Sequence, residues 1–195
     1  MQMNDNTLKL TLLQEAVKLV PFDGWSADTV KKAAASAGLN PAYAQMMFIG
    51  GVDELVDLFF INQDELLKQE IAKLPLSDMR VRDRIAEGIW LRLKVNEPHK
   101  LLIKKTLPYL AMPWRWPLKT KILWRCVDLI WYEAGKDSSV DYNYYTKRTL
   151  LAGVFSTSLM YWLSDNSAEY KDTKSFIARR IDDILQVAKV VSGRK

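Results

Sequence analysis

The amino-acid sequence predicts an all-α protein, a bundle of about nine helices. Apolar residues recur at the three- and four-residue spacing of one helix face along nearly the whole chain. No stretch alternates apolar and polar residues as a half-buried strand does. Proline and glycine clusters cut the periodic stretches into pieces of helix length.

Leu8, Leu12, Ala16 and Leu19 mark the first helix, which Pro21-Phe22-Asp23-Gly24 is expected to end. Ser26 is placed to cap a second helix over 27–37, closed by Gly38. Asn40 caps a third over 41–48, with Pro41 at the favoured first position, and Gly50-Gly51 breaks it. A long fourth helix covers 53–73, with Leu55, Leu58, Phe59, Asn62, Leu66 and Ile71 marking its faces, and Pro75 ends it. Ser77 and Arg80-Val81-Arg82 open the fifth, which runs to about Asn96 before Pro98. The remaining four cover 100–111, 118–134, 143–163 and 172–191, separated by turns at Pro113, Pro117, Gly135 and 164–168. The expected organisation is a head (1–50), a helical body (51–170) and a C-terminal amphipathic helix (171–195).

Three short helices followed by a longer helical body resemble the plan of TetR-like regulators, and the spacing of the second and third suits a helix-turn-helix. The head is nevertheless ill suited to DNA. Its candidate recognition helix, Pro41-Ala42-Tyr43-Ala44-Gln45-Met46-Met47-Phe48, carries no charge, and residues 1–50 hold four Lys against four acids. Phosphate contacts supply most non-specific affinity for DNA, and a neutral head makes few of them. The helix-turn-helix is therefore expected to be vestigial, with no nucleic-acid partner.

Hydrophobic residues at 49% and charged residues at 26% are ordinary for a soluble globular protein. The single Cys126 and single His99 exclude an internal disulfide and a typical zinc site. His99 follows Pro98 at a helix start and reads as a surface capping residue, while Cys126 reads as a small core residue. No Glu-x-x-His pair and no glycine-rich phosphate loop is present, so neither an enzyme nor a bound cofactor is expected. The uncharged stretch 149–164 is shorter than the ~20 apolar residues needed to span a bilayer. The N-terminus lacks the Arg-rich character of a transit peptide. A cytoplasmic protein, or a mature chain already processed, is the expectation, peripheral on the inner membrane.

The net charge of +5 is unevenly spread. Residues 1–97 hold 11 basic and 14 acidic residues, whereas 98–125 hold seven basic residues and no acid. The seven cations are interleaved with Tyr109, Trp114, Trp116 and Trp124, a mixture that suits an anionic lipid surface. An acidic protein, RNA or plain solvent would suit it too. In the last helix Ile177, Ile181, Ile184, Leu185, Ala188 and Val191 form one stripe with Phe176 beside it. Such a helix lies in a membrane interface, docks on the body, or pairs with a second copy. Trp114, Trp116, Phe176, Ile177, Ile181 and Ile184 are the membrane-contact candidates.

The most specific stretch is Asp128-Leu-Ile-Trp131-Tyr132-Glu-Ala-Gly135-Lys-Asp137-Ser138-Ser-Val-Asp141-Tyr-Asn143-Tyr144-Tyr145-Thr146-Lys147-Arg148, continued by Thr-Leu-Leu-Ala152-Gly153-Val-Phe155. With the Gly50-Gly51 break, it closely resembles the coenzyme-Q-biosynthesis protein nine family. Tyr144, where tryptophan is expected, is the one departure. From the residues alone, Asp141 or Asn143 reads as the cap of a helix whose later part is apolar.

The resemblance implies a TetR-like protein that binds an isoprenoid lipid or quinone precursor and assists the demethoxyubiquinone hydroxylase. It implies that Trp131 and Tyr132, with Asp128, lie on the partner surface. Adjacent helical residues point about 100° apart, so one core face does not bury both; a buried Trp131 beside a half-exposed Tyr132 is the plainer alternative. The lipid pocket is carried by the resemblance too, because pocket walls and core residues share one chemistry. Its candidates are Leu58, Phe59, Trp90, Leu123, Leu151, Phe155, Leu159 and Trp162. A homodimer is expected from the TetR-like body. The alternatives are a ligand-responsive transcriptional regulator and a homodimeric scaffold without ligand.

Overall fold

The structure is a computed structural model that describes residues 5–135 and 143–192, without the side chains of 143–145, 185 and 187–192. The turn carrying Asp137, Ser138 and Asp141 lies outside the described residues, as do the side chains of Asn143, Tyr144 and Tyr145 and those of Leu185, Ala188 and Val191. Among the described residues there are nine α-helices and no strand. They are α1 (Asp5–Asp23), α2 (Ala27–Ser36), α3 (Pro41–Met47), α4 (Gly51–Ile71), α5 (Val81–Val95), α6 (Lys100–Leu110), α7 (Trp116–Glu133), α8 (Asn143–Ser164) and α9 (Lys171–Ser192). None is long and apolar enough to cross a membrane.

The caps follow the sequence closely. Ser26 accepts from the Thr29 N–H, and Asn40 accepts from the Ala42 N–H at 2.8 Å. The end of α1 differs from expectation. Pro21 lies inside the helix, which continues to Asp23 and closes at Gly24, φ 73°. A proline this close to a C-terminus disturbs only the last turn, so little is lost by continuing. At the start of α4, Gly51 takes φ 62° and Glu54 reaches back to the Gly50 N–H at 3.0 Å.

The chain forms two compact units, the first from Met1–Gln63 and Pro98–Ile122, the second from Asp64–Glu97 and Leu123–Lys195. In the first, α1 packs on α2, α3 and α6 around Leu12, Ala16, Val20, Ala33 and Phe59. The Trp25 indole N–H donates to Thr106 Oγ1 at 2.8 Å, and the Thr106 hydroxyl donates to the Leu102 carbonyl. His99 does not cap α6; its ring stands edge-on to Phe59 at 5.5 Å, and burial lowers its pKa.

In the second unit α5, α8 and α9 pack on one another, with Trp162, Ile130, Leu93 and Ile177 at the centre. Gly88 permits close approach of α5 to α7: a Cβ there would meet Ile130 Cγ2 at 2.9 Å. Cys126 is a core residue, its thiol pushed up to about 11 by burial.

Asp165, between α8 and α9, is buried and accepts from the Ser167 N–H, the Thr173 N–H and the Thr173 hydroxyl. Burial alone would raise its carboxyl, but these hydrogen bonds outweigh it and hold the pKa at about 2. A depressed carboxyl contributes stability above its ordinary value of 3.8 and loses it as the pH falls from there towards 2. Asp165→Asn is therefore expected to lower stability by about 1–2 kcal/mol at pH 7, as lost helix caps do. Urea unfolding at pH 7 and near pH 2 checks this: the gap between variant and parent should close in acid, and a gap of constant size refutes the charge argument.

Candidate functional site

Among its described residues the second unit contains an apolar groove of about 300 Å3. Val81, Arg82 and Ile85 of α5 form one side, and Trp131 of α7 closes an end. Lys147, Leu150, Leu151 and Val154 of α8 form the opposite side, with Ile181 and Ile184 of α9. The wall exposes almost only carbon, and the cations stand where Arg82 and Lys147 project. Arg82 is held by Asp182 at 2.9 Å and by Asp83 at 3.1 Å. The Lys147 ammonium lies 5.8 Å from the Trp131 ring centroid.

Gly135 sets the Trp131 end. A Cβ at this position would lie 2.6 Å from the Trp131 carbonyl oxygen and 2.9 Å from its ring, so only glycine lets the chain leave α7 beside the indole. The Trp131 Nε1–H is buried and has no acceptor among the described residues. An apolar concavity of this size, with Arg82 and Lys147 among its lining residues, fits a lipid-like ligand better than a polar metabolite.

The sequence-derived pocket candidates divide between the two units. Leu58 and Phe59 belong to the first, where Phe59 packs on Trp25, Phe60 and His99. Trp90, Leu123, Leu151, Phe155, Leu159 and Trp162 belong to the second, and of these Leu151 lines the groove. Trp162 is fully buried against Tyr170, which also meets Trp90, so these two are core. Phe155 is buried and Leu123 and Leu159 are half-buried. Val81, Arg82, Ile85, Lys147 and Leu150 are lining residues that periodicity did not single out. The i, i+1, i+4 spacing of Val81, Arg82 and Ile85 is a signal, but every core face carries the same one.

Of the partner-surface candidates, Tyr132 is 61% exposed. Trp131 is half-buried and faces the groove, and Asp128 accepts from the Arg148 Nε–H at 2.6 Å. Arg148 itself is buried. The basic residue of the signature run thus pins α8 to α7.

Among the membrane-contact candidates, Trp114 and Trp116 are 70% and 66% exposed. The α9 candidates lie otherwise. Ile177 and Ile181 are buried, Ile184 is half-buried in the groove wall, and Phe176 stacks on Tyr161 at 4.6 Å. In this arrangement α9 packs on α5 and α8, with Ile177 and Ile181 on its buried side.

The acid-free segment 98–125 is less basic in space than in sequence. In the first unit Asp53 of α4 takes Arg115 and Tyr109, and Asp57 takes Lys121 at 2.7 Å. In the second, Asp64 is buried between Arg92 at 2.9 Å and Arg125. Lys104, Lys105 and Lys119 stay exposed, the last 5.3 Å from the Trp116 ring centroid. The acids were legible in retrospect, since Asp53, Asp57 and Asp64 recur at the spacing of one helix face. In the head, Tyr43, Met46 and Ile49 are exposed where a DNA-reading helix would present polar groups.

Residues 116–188 match the family model described as COQ9. The chain is 32% identical over 190 residues to the ubiquinone biosynthesis protein COQ9, mitochondrial, of Xenopus tropicalis, covering 93% of this chain and 59% of that protein. It is 29% identical over 192 residues to the human protein of the same name, covering 94% and 59%. The chain thus spans about three fifths of the length of these relatives. A TetR transcriptional regulator from Nitrosomonas europaea shares the fold, with a TM-score of 0.72 at 16% identity over 90% of this chain and 97% of that one.

Proposed function

We propose that the chain, similar to the COQ9 family model over residues 116–188 and to COQ9 proteins along most of its length, is a member of that family and a non-catalytic accessory protein of ubiquinone biosynthesis that binds a polyprenylated quinone intermediate. It rests peripherally on the inner membrane and presents the lipid to the demethoxyubiquinone hydroxylase. The observation that carries this reading is the apolar groove, most of whose wall lies within the stretch that matches the family. A prenyl tail is otherwise confined to the bilayer, and a concave carbon-lined surface lowers the cost of drawing part of it into water.

The exposed Trp114 and Trp116, with Lys104, Lys105 and Lys119 in the same segment, support the membrane contact. Each cation near an anionic surface contributes about 1 kcal/mol. The exposed Tyr132 supports a protein partner beside the groove, because exposed aromatics are frequent interface anchors.

Lipid extraction and mass spectrometry of gently purified protein test the reading. Isoprenoid quinone or its precursor is expected with the parent chain. Leu151→Trp, which fills the groove from α8, should reduce the bound lipid at least tenfold while far-UV helicity is unchanged. Parent protein that carries no lipid after incubation with quinone-containing vesicles would sink the reading.

A further inference from the structure

We propose that a cleft of the second unit, separate from the apolar groove, binds a phosphoalkylammonium group, the zwitterionic head of phosphocholine and phosphoethanolamine compounds. The cleft encloses about 410 Å3 and is lined by Trp90, Lys94, Glu97, Glu169, Tyr170 and Lys174. It shares no lining residue with the groove and stands on its own observations. Its floor is aromatic, with buried Trp90 and half-buried Tyr170 at a centroid distance of 6.0 Å. Its rim is charged. Lys94 of α5, Lys174 of α9, Glu97 just after α5 and Glu169 just before α9 are all exposed.

Three features point to a ligand that carries both signs of charge. The Lys174 ammonium lies 4.6 Å from the Trp90 ring centroid, so the indole already holds a cation. An alkylammonium ligand takes that place, with Glu97 and Glu169 to balance it, and Lys174 then joins Lys94 on the phosphate. The two lysines form no ion pair with the two glutamates, so charges of both signs line one cleft without cancelling one another. Glu169 and Tyr170 take φ 52° and 53°, left-handed values that residues other than glycine rarely adopt. Such strain collects at ligand sites. Here it accompanies a Tyr170 ring set against Trp90 and Trp162, with Glu169 on the rim. A lone phosphate would face two carboxylates and a lone cation two lysines, whereas a zwitterion satisfies all four.

Isothermal titration calorimetry of the full chain with phosphocholine, inorganic phosphate and tetramethylammonium tests this. Phosphocholine is expected to bind roughly tenfold or more tighter than either fragment, since its two halves act together. Lys94→Gln and Glu169→Gln, at exposed positions that leave the core intact, should each weaken it about threefold, the scale of one screened ion pair. The N-methyl protons of bound phosphocholine should move upfield, because they lie over aromatic rings. N-methyl resonances that stay in place while phosphocholine binds overturn the proposal. Phosphate that binds as tightly, affinity that ignores both variants, or parent protein that binds no phosphocholine overturns it equally. Sedimentation with phosphatidylcholine vesicles separates two sources of the same chemistry. Capture that both variants weaken assigns the cleft to a lipid headgroup, and capture that ignores them, with free phosphocholine still bound, assigns it to a soluble phosphocholine compound. Leu151→Trp should leave phosphocholine binding unchanged, and a loss there overturns the cleft as a separate site.

Discussion

Asp64→Ala is expected to destabilise the protein by about 3–5 kcal/mol, the cost of leaving buried charge without its counterion. Asp64 is almost wholly buried and holds Arg92 and Arg125 at once, and Arg92 is buried as deeply as the carboxylate it meets. Without the carboxylate, Arg92 keeps its charge, since a guanidinium does not shed its proton in a protein. Urea unfolding measures the loss. Asp57→Ala is the control, because its partner Lys121 is 64% exposed and water takes over the ammonium. The control should cost less than about 1 kcal/mol. Replacing Asp64 and Arg92 together by apolar residues of similar volume should recover much of the loss. Equal effects of Asp64→Ala and Asp57→Ala refute the burial argument.

The second large effect concerns Trp162. Trp162→Ala is expected to cost about 3–5 kcal/mol, as large-to-small changes of buried aromatics do. The side chain is completely excluded from solvent, and its ring meets Tyr170 at a centroid distance of 6.2 Å. Removing it also loosens the Tyr170 ring from its place against Trp90. Because Trp162 is absent from the groove wall, the defect should be one of stability: lipid bound per folded molecule should stay within about twofold of the parent, on the additivity expected of separate sites. Thermal unfolding and lipid extraction on the same sample separate the two quantities. A stable variant that has lost its lipid would make Trp162 a ligand contact after all.

Trp162 shows why core and site could not be separated by reading residues in order. Trp162 and Leu151 stand on the same helix, in one apolar pattern, with the same chemistry. One is sealed in the centre of the unit, and the other lines a concavity. The difference lies in what α5 and α9 place opposite each of them, and no local pattern carries that information. The same holds for α9. Its stripe of isoleucines suited a membrane and a helical neighbour equally, and in the structure Ile177 and Ile181 lie against α5 and α8.

Charge was misjudged for a related reason. Segment 98–125 reads as strongly basic because its acids lie 61 to 64 positions earlier, on α4. Asp53, Asp57 and Asp64 meet Arg115, Lys121 and Arg125 only after folding. An excess of cations along the chain is therefore a weaker guide to a binding surface than exposed cations without a salt bridge to α4, among them Lys119, which lies over the exposed Trp116 ring.

The sequence by itself determined the nine helices of the described residues, the caps of α2 and α3, most of the breaks, the helix-turn-helix-like head with its uncharged third helix, and the resemblance to the COQ9 family. These are local properties: hydrophobic period, capping chemistry, the tolerance of glycine for positive φ, and a contiguous signature from Asp128 to Arg148. Tertiary structure alone decided which apolar residues are sealed and which line the groove, which cations keep their charge exposed, and that the Trp131 N–H is buried without an acceptor among the described residues. Each of these depends on the surface that a distant helix brings into contact, because burial and pairing are properties of two surfaces and a residue's neighbours in sequence supply only one.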